Sequence, residues 1–306
     1  MLLLDSTTKD LTPWIKAFRE HLPSQEVVTW NEVTDPSKIS VAVVWNHRLD
    51  LFKKIPNVKL VASLGAGVDH IVQDPLLPPK VPVSKVISPY LCNPMSNYCI
   101  GAILYFHKQF DKYLEDKNKK VWDQQFDPER PMKIGILGLG VLGKDLASKL
   151  ITLGFEVHGL SRSKKEVPGV ITYGPNDLNR FLGTVNTLVC MLPKTKDTIG
   201  IIDRKLLSKL PAQSYLINVG RGKHQIDEDI LEALETGQLA GAFLDVFPEE
   251  PLPTSSPLWT HSKVVITPHI AVVTKVEAAV PQIVENYNRI QAGLPLLHLI
   301  DREKGY

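Results

Sequence analysis

The run Lys133-Ile134-Gly135-Ile136-Leu137-Gly138-Leu139-Gly140-Val141-Leu142-Gly143 constrains this chain more than any other stretch. Lys133 to Leu137 reads as a short apolar strand, and Gly138, Gly140 and Gly143 make a G-x-G-x-x-G turn. Leu142, Leu146, Leu150 and Leu153 then recur at helical spacing, and Phe155 to Leu160 reads as a second strand. Strand, glycine turn, helix and strand within ~30 residues is the context a dinucleotide-binding turn requires. Gly138 permits the tight turn, Gly140 lets the backbone approach a pyrophosphate, and Gly143 lets the helix pack on the strand. The free N–H groups and the positive end of the helix then face the phosphates. The three glycines alone would also suit an ordinary βαβ unit; the whole unit favours the dinucleotide.

More than 130 residues precede this turn, and they carry their own alternation of strand and helix patterns. Leu11, Ile15, Phe18 and Leu22 fall at helical spacing, while Ile39–Trp45 and Val58–Leu64 read as buried strands. A long helix is expected from Pro94, with Met95, Cys99, Ala102 and Phe106 on one face as core. The polar stretch Lys117–Arg130 follows. Beyond Gly143 come strands at Asn186–Met191, Ser214–Val219, Gly241–Val246 and Val264–Thr267, then a last helix over Val272–Ala292. This alternation predicts an α/β chain with two parallel-sheet domains, Rossmann-like and flavodoxin-like. The nucleotide domain, 99–271, is inserted into a substrate domain made of 1–98 and 272–306. The chain should cross between them near Pro94–Phe110 and near His269–Glu277, and the default site is the cleft between domains.

Composition excludes several classes. The 306 residues carry 35 Lys and Arg against 33 Asp and Glu, a net charge of +2, so nothing points to nucleic acid or an anionic membrane. No stretch approaches the ~20 apolar residues of a membrane span. Met1-Leu2-Leu3-Leu4-Asp5 has no basic segment before its apolar run and reads as a first strand instead of a signal peptide. Cys92, Cys99 and Cys190 form no C-x-x-C pair; a reducing cytoplasm suits them, with Cys190 packed inside a strand. No metal site is expected.

Three groups stand at the carboxyl ends of late strands, where ligands bind in open α/β sheets. They are Arg221 in Asn218-Val219-Gly220-Arg221-Gly222, Glu250 in the segment Leu244–Leu252, and His269 in Thr267-Pro268-His269-Ile270-Ala271. A fixed guanidinium can hold a carboxylate and polarise an adjacent carbonyl. A histidine can donate a proton, and a nearby carboxylate orients it and favours its charged form. Alone, each also reads as a loop arginine, a surface glutamate or a core histidine; it is their joint placement that points to a site. Upstream, Leu64-Gly65-Ala66-Gly67 offers the Ala66 and Gly67 N–H groups as a cradle for an anion.

These motifs together resemble the D-2-hydroxyacid dehydrogenases over nearly the whole chain. The resemblance rests on Gly138–Gly143, Val219-Gly220-Arg221-Gly222, Leu244-Asp245-Val246-Phe247 with Glu250-Pro251-Leu252, and Pro268-His269. Leu64–Asp69, Ser161-Arg162-Ser163, Ser256-Pro257-Leu258-Trp259, Pro268–Thr274, Asp301-Arg302 and Gly305-Tyr306 resemble the branch that reduces glyoxylate and hydroxypyruvate. The resemblance implies Arg221 as substrate anchor, His269 as proton donor and Glu250, which directly precedes Pro-Leu, as its partner. It further implies Trp45 in the substrate pocket beside Ala66 and Gly67. For the cofactor it implies contacts from Val141, Leu142, Pro193 and Val219, with Asp245 facing the nicotinamide amide, and it implies a homodimer.

The second strand of the dinucleotide unit runs into Ser161-Arg162-Ser163-Lys164-Lys165. An acid there would bind a ribose 2′-hydroxyl, whereas an arginine accommodates a 2′-phosphate. The cofactor expected is NADPH, with NADH weaker. The function expected is reduction of small 2-oxo acids. A dehydrogenase for a phosphorylated or longer 2-hydroxy acid is the alternative within the class. A dinucleotide-sensing corepressor on the same scaffold is the alternative outside it.

Overall fold

Leu2–Leu4, Val41–Val44 and Leu60–Ala62 are all but completely shielded from water. Such continuous apolar runs belong to parallel strands covered on both faces. In the computed structural model of the protein, which describes residues 1–87, 89–124, 129–163 and 165–303, they form the centre of the first of two sheets. Lys164, Gly305 and Tyr306, singled out in the sequence, lie outside the described residues.

The chain divides into two units, Met1–Tyr90 with Val273–Tyr306, and Leu91–Val272. The first unit holds β1 (Leu2–Ser6), β2 (Val27–Thr29), β3 (Val41–Trp45), β4 (Leu60–Ser63) and β5 (Val83–Ser84), all parallel, in the order β2-β1-β3-β4-β5. The helix Thr12–His21 buries Trp14 and Phe18, and the helix Val276–Ala292 buries Val280, Ile283 and Tyr287. The late segment is tied back to the early one. Tyr287 Oη donates to Gln25 at 2.8 Å, and Arg302 donates to the carbonyls of Pro78, Pro79 and Val81.

The second unit holds β6 (Lys133–Leu137), β7 (Glu156–Leu160), β8 (Ile171–Tyr173), β9 (Thr187–Cys190), β10 (Ser214–Asn218), β11 (Leu239–Leu244) and β12 (Val264–Ile266). All pairs are parallel and the order is β12-β11-β10-β9-β6-β7-β8. The winding reverses between β6 and β9, and a ligand of such a sheet binds beyond the carboxyl ends of those strands. Two parallel-sheet α/β units are thus the fold class that the alternation predicts.

Details of the helices depart from the sequence pattern. The helix expected from Pro94 begins at Pro89 and runs to His107, with Pro94 inside it. Leu91 and Met95, four residues apart, are both buried, and that packing carries the helix back past the proline. Met95, Cys99, Ala102 and Phe106 pack in a core with Ile134 and Ile136, as their spacing predicts. A helix not read from the sequence, Phe110–Lys119, runs into the start of the polar stretch and is laced by Lys112–Asp116 and Glu115–Lys119 ion pairs at i, i+4. The last helix starts at Val276, four residues later than expected, because Lys275 is extended. Among the described residues no helix is long and apolar enough to cross a membrane.

Candidate active site

β6 ends at Leu137, and Gly138 turns the chain with φ +107°, a left-handed value that glycine tolerates. A Cβ on Gly143 would lie 2.1 Å from the Gly138 carbonyl oxygen, so the helix Val141–Thr152 can start against the turn only without a side chain there. Gly140 differs, because a Cβ there would meet nothing within 4 Å. The chain's own packing does not require glycine at 140; a group approaching from outside would. The helix also begins with no side-chain cap and no acid in its first turn. Its free N–H groups and positive end are left for an anion. Turn, open approach and uncapped helix fit the pyrophosphate of a dinucleotide. Val141 is exposed beside it, and Leu142 is half-buried.

β7 leads into Ser161, Arg162 and Ser163, with no acid among them. The Arg162 guanidinium pairs with Asp197 at 3.1 Å, both side chains largely exposed, a pairing that contributes little. Ser161 is buried and spends its hydroxyl proton on the Ser163 carbonyl at 2.8 Å. Lys165, which the sequence reading left without a role, donates to the Leu139 carbonyl inside the glycine turn at 2.9 Å. Its ammonium therefore sits beside the turn. On the other side of the sheet reversal, Pro193 follows β9, and its carbonyl accepts from Thr198 at 2.8 Å and faces His224 Nε2 at 3.3 Å.

Arg221, Glu250 and His269 lie in the loops after β10, β11 and β12. Parallel pairing puts all three loops on the same edge of the sheet as the glycine turn. His269 Nδ1 and Glu250 Oε2 are 2.7 Å apart, both side chains partly exposed. Glu250 Oε1 accepts the Phe247 N–H at 3.0 Å. Burial pushes the Glu250 carboxyl up, but hydrogen bonds from His269 and the Phe247 N–H, with the positive charges of His269 and Arg221, outweigh it and hold it below the usual carboxylate range. The pair therefore reads as a carboxylate orienting an imidazole. Val219, buried, donates from its backbone to Cys190 at 3.2 Å, and Arg221 Nη1 donates to the Gly220 carbonyl at 2.8 Å.

One close backbone approach and one hydrogen bond fix this edge. A Cβ on Gly222 would lie 1.8 Å from the Phe247 carbonyl carbon, so the Arg221 loop is pressed on the chain that leads to Glu250. His224, fully buried, accepts the Arg221 N–H on Nδ1 at 3.1 Å, which leaves Nε2 to carry the proton toward Pro193. The sequence reading missed His224; its place three residues after Arg221 is the only signal.

Asp245, read from the sequence as a partner of the nicotinamide amide, has its carboxylate occupied within the chain. Oδ1 accepts from Thr267 Oγ1 at 2.6 Å and from the Ile270 N–H at 2.8 Å, and Oδ2 accepts from the Ala271 N–H at 2.9 Å. The Asp245 carbonyl accepts the His269 N–H at 2.8 Å. His269 itself sits at φ +55°, an uncommon value for a residue with a side chain, and Asp245 braces it from both sides. Tyr98 extends the brace, its hydroxyl bonded to that of Thr267. Tyr98 and Thr267 were not singled out from sequence, although Thr267 stands two residues before the histidine.

In the first unit, Trp45 ends β3, and the Leu64–Gly67 loop follows β4. Ser63 Oγ accepts the Gly65 N–H at 3.2 Å and donates to the Gly67 carbonyl at 2.6 Å, which sets the turn. The Ala66 and Gly67 N–H groups have no acceptor among the described residues, and Ala66 is exposed. The helix behind them, Asp69–Val72, is a single turn and adds little dipole.

The D-isomer specific 2-hydroxyacid dehydrogenase, NAD binding domain family matches residues 100–271. Glyoxylate/hydroxypyruvate reductase A of Escherichia fergusonii is 38% identical over 100% of this chain and 99% of its own. An NADPH-dependent glyoxylate/hydroxypyruvate reductase from Sinorhizobium meliloti, solved with NADP and sulfate, is 38% identical with a TM-score of 0.93, over 100% of this chain and 99% of that one. A D-isomer specific 2-hydroxyacid dehydrogenase from Xanthobacter autotrophicus, solved with NADPH and MES, gives 35% identity and TM-score 0.93 over the same shares. The chain belongs to the D-isomer specific 2-hydroxyacid dehydrogenase family.

Proposed function

We propose that this protein reduces small 2-oxo acids, glyoxylate and hydroxypyruvate foremost, with NADPH. The observation that carries the reading is the 2.7 Å His269–Glu250 pair, set beside Arg221 on the sheet edge that also bears the dinucleotide turn. The names and ligands of the relatives support it.

Gly138, Gly140, Val141, Leu142 and Gly143 would hold the pyrophosphate, and Pro193, Val219 and the Asp245-braced loop would line the nicotinamide side. Arg162, with Ser161, Ser163 and Lys165 nearby, would meet the 2′-phosphate. Bound NADPH supplies a hydride to the keto carbon. Arg221 holds the substrate carboxylate and polarises the carbonyl through its planar fork. His269 gives the proton to the carbonyl oxygen, and Glu250 keeps the ring oriented for that transfer. In the first unit, Ala66 and Gly67 would offer N–H donors to an anion, and Trp45 would bound a small pocket. In this reading 99–271 bind the dinucleotide, while 1–98 and 272–306 bind the substrate. A cytoplasmic setting is supported by the free thiols of Cys92, Cys99 and Cys190. A homodimer is supported by the exposed apolar side chains of Phe110, Leu114 and Trp122.

The test is steady-state turnover of glyoxylate, hydroxypyruvate, pyruvate and phenylpyruvate with NADPH and with NADH. The reading expects the two small substrates with NADPH to give the highest kcat/KM. NADPH binding without turnover of any of the four would favour a dinucleotide sensor instead.

A further inference from the structure

The first sheet, β2-β1-β3-β4-β5, reverses its winding between β1 and β3. The crevice beyond the carboxyl ends of those two strands is where an open α/β sheet takes a ligand. Ser6 and Trp45, the last residues of β1 and β3, are register partners. The loops beyond them are tied together by the Thr7 N–H, which donates to the Asn46 carbonyl at 3.0 Å. The Lys9 N–H donates to Ser6 Oγ at 3.0 Å, and this holds Lys9 over the reversal. Its Nζ lies 4.8 Å from the centre of the Trp45 ring.

The ammonium is partly withdrawn from water, and burial pulls its pKa down. Among the described residues it has no hydrogen-bond or ion-pair partner. The acids on the adjoining chain are already engaged. Asp5 takes the Arg48 N–H at 2.9 Å and Nε at 2.7 Å, and Asp10 takes the Thr12 N–H at 2.9 Å. A partly desolvated cation with only an aromatic face as company is incompletely compensated. The same indole also abuts the candidate carboxylate turn: a Cβ on Gly65 would come within 2.8 Å of Trp45 Cζ3. One ring thus has the Gly65–Gly67 turn at its edge and an unpaired cation at its face.

We propose that Lys9 is a specificity residue that receives a second anionic group on the substrate, so that the site accepts 2-oxo acids bearing a carboxylate or phosphate beyond the keto carbon. This deepens the function proposed above and rests on it. The reaction is unchanged: the keto carbon gains a hydride from NADPH, its oxygen gains a proton, and the second acid group only binds.

The test compares wild type, Lys9→Met and Lys9→Arg with NADPH on hydroxypyruvate, oxaloacetate and phosphohydroxypyruvate. Loss of one charge-assisted contact corresponds to a factor of about 10 or more. The ratio of kcat/KM for a dianionic substrate to that for hydroxypyruvate is expected to fall by about 10-fold or more in Lys9→Met, mainly through KM, and to be kept in Lys9→Arg. A fall for oxaloacetate alone identifies a carboxylate subsite, and a fall for phosphohydroxypyruvate alone a phosphate subsite. Ratios that move for neither overturn the proposal while leaving the reductase reading intact. Should wild type turn over no 2-oxo acid, the reductase reading fails. Calorimetric titration with tartronate against glycolate then decides Lys9, and equal tartronate affinity in wild type and Lys9→Met overturns it.

Discussion

His269 carries the most specific residue-scale expectation. A positioned acid contributes roughly 10²–10⁴-fold, so His269→Ala should lower kcat by about 100-fold or more while NADPH still binds. Unchanged kcat at neutral pH would remove the residue from the chemistry. Glu250 sets the pH dependence. Its folded carboxyl is held below the usual range, so it stays ionised where a free glutamate, near pH ~4.3, is already half protonated. Its contribution is therefore complete above that value and is lost only as pH falls through the lower, folded one. Glu250→Gln removes the negative charge that favours the imidazolium. The reductive kcat/KM should then decline at a lower pH on the alkaline side than in wild type; superimposable profiles would mean that the 2.7 Å contact does not matter in turnover. Arg221, Glu250 and His269 were legible in the sequence as a group, because each follows a readable strand. Their braces were not. His224, Tyr98 and Thr267 act through partly buried hydrogen bonds, and only the nearness of His224 to Arg221 and of Thr267 to His269 hints at two of them.

At the scale of elements, the loop after β12 is held through one side chain. Thr267 joins Tyr98 to Asp245, and Asp245 in turn holds the Ile270 and Ala271 N–H groups. Thr267→Val keeps the shape and removes the bridge, leaving a buried carboxylate oxygen short of a donor, at a cost of about 1–3 kcal/mol. Displacement of a catalytic group by ~1 Å can cost roughly 100-fold, so kcat for glyoxylate should fall at least about 10-fold with little change in KM for NADPH. Thr267→Ser should recover most of it. A Thr267→Val enzyme of lowered Tm but normal kcat would leave the loop a purely structural device. Asp245 also shows where strand boundaries escape sequence reading. Gly241–Val246 reads as one strand, yet the strand stops at Leu244, where the Asp245 carbonyl turns to accept the His269 N–H. The short edge strands β2, β5 and β8 were likewise unread: two or three residues carry too little periodicity. The helix Phe110–Lys119 was unread because its stability lies in ion pairs and not in an apolar stripe.

For the whole molecule, the legible part was the class: two runs of βα alternation, one of them around a glycine turn, can bury their strands only as parallel sheets. The strand orders were not legible, and they are what place Lys9 beside Trp45 at one reversal and the glycine turn at the other. Cofactor choice can be read through the stability of the unit Leu91–Val272. A ligand present at 100 times its Kd stabilises the folded state by about 2.7 kcal/mol. For a unit of this size that raises Tm by about 5–10 °C. One charge-assisted contact from Arg162 to a 2′-phosphate corresponds to a factor of about 10–100 in affinity. NADH at the same concentration should then contribute only about 0.4–1.4 kcal/mol, a rise of roughly 1–5 °C. In Arg162→Ala the NADPH shift should shrink to the NADH value while the NADH shift stays as in wild type. The exposed Arg162–Asp197 pair competes for the same guanidinium, so Asp197→Asn should enlarge the NADPH shift slightly, by about 1 kcal/mol at most. Added salt should narrow the gap between cofactors by screening an exposed contact. A wild-type protein stabilised equally by both, or more by NADH, would leave Arg162 without a phosphate to read.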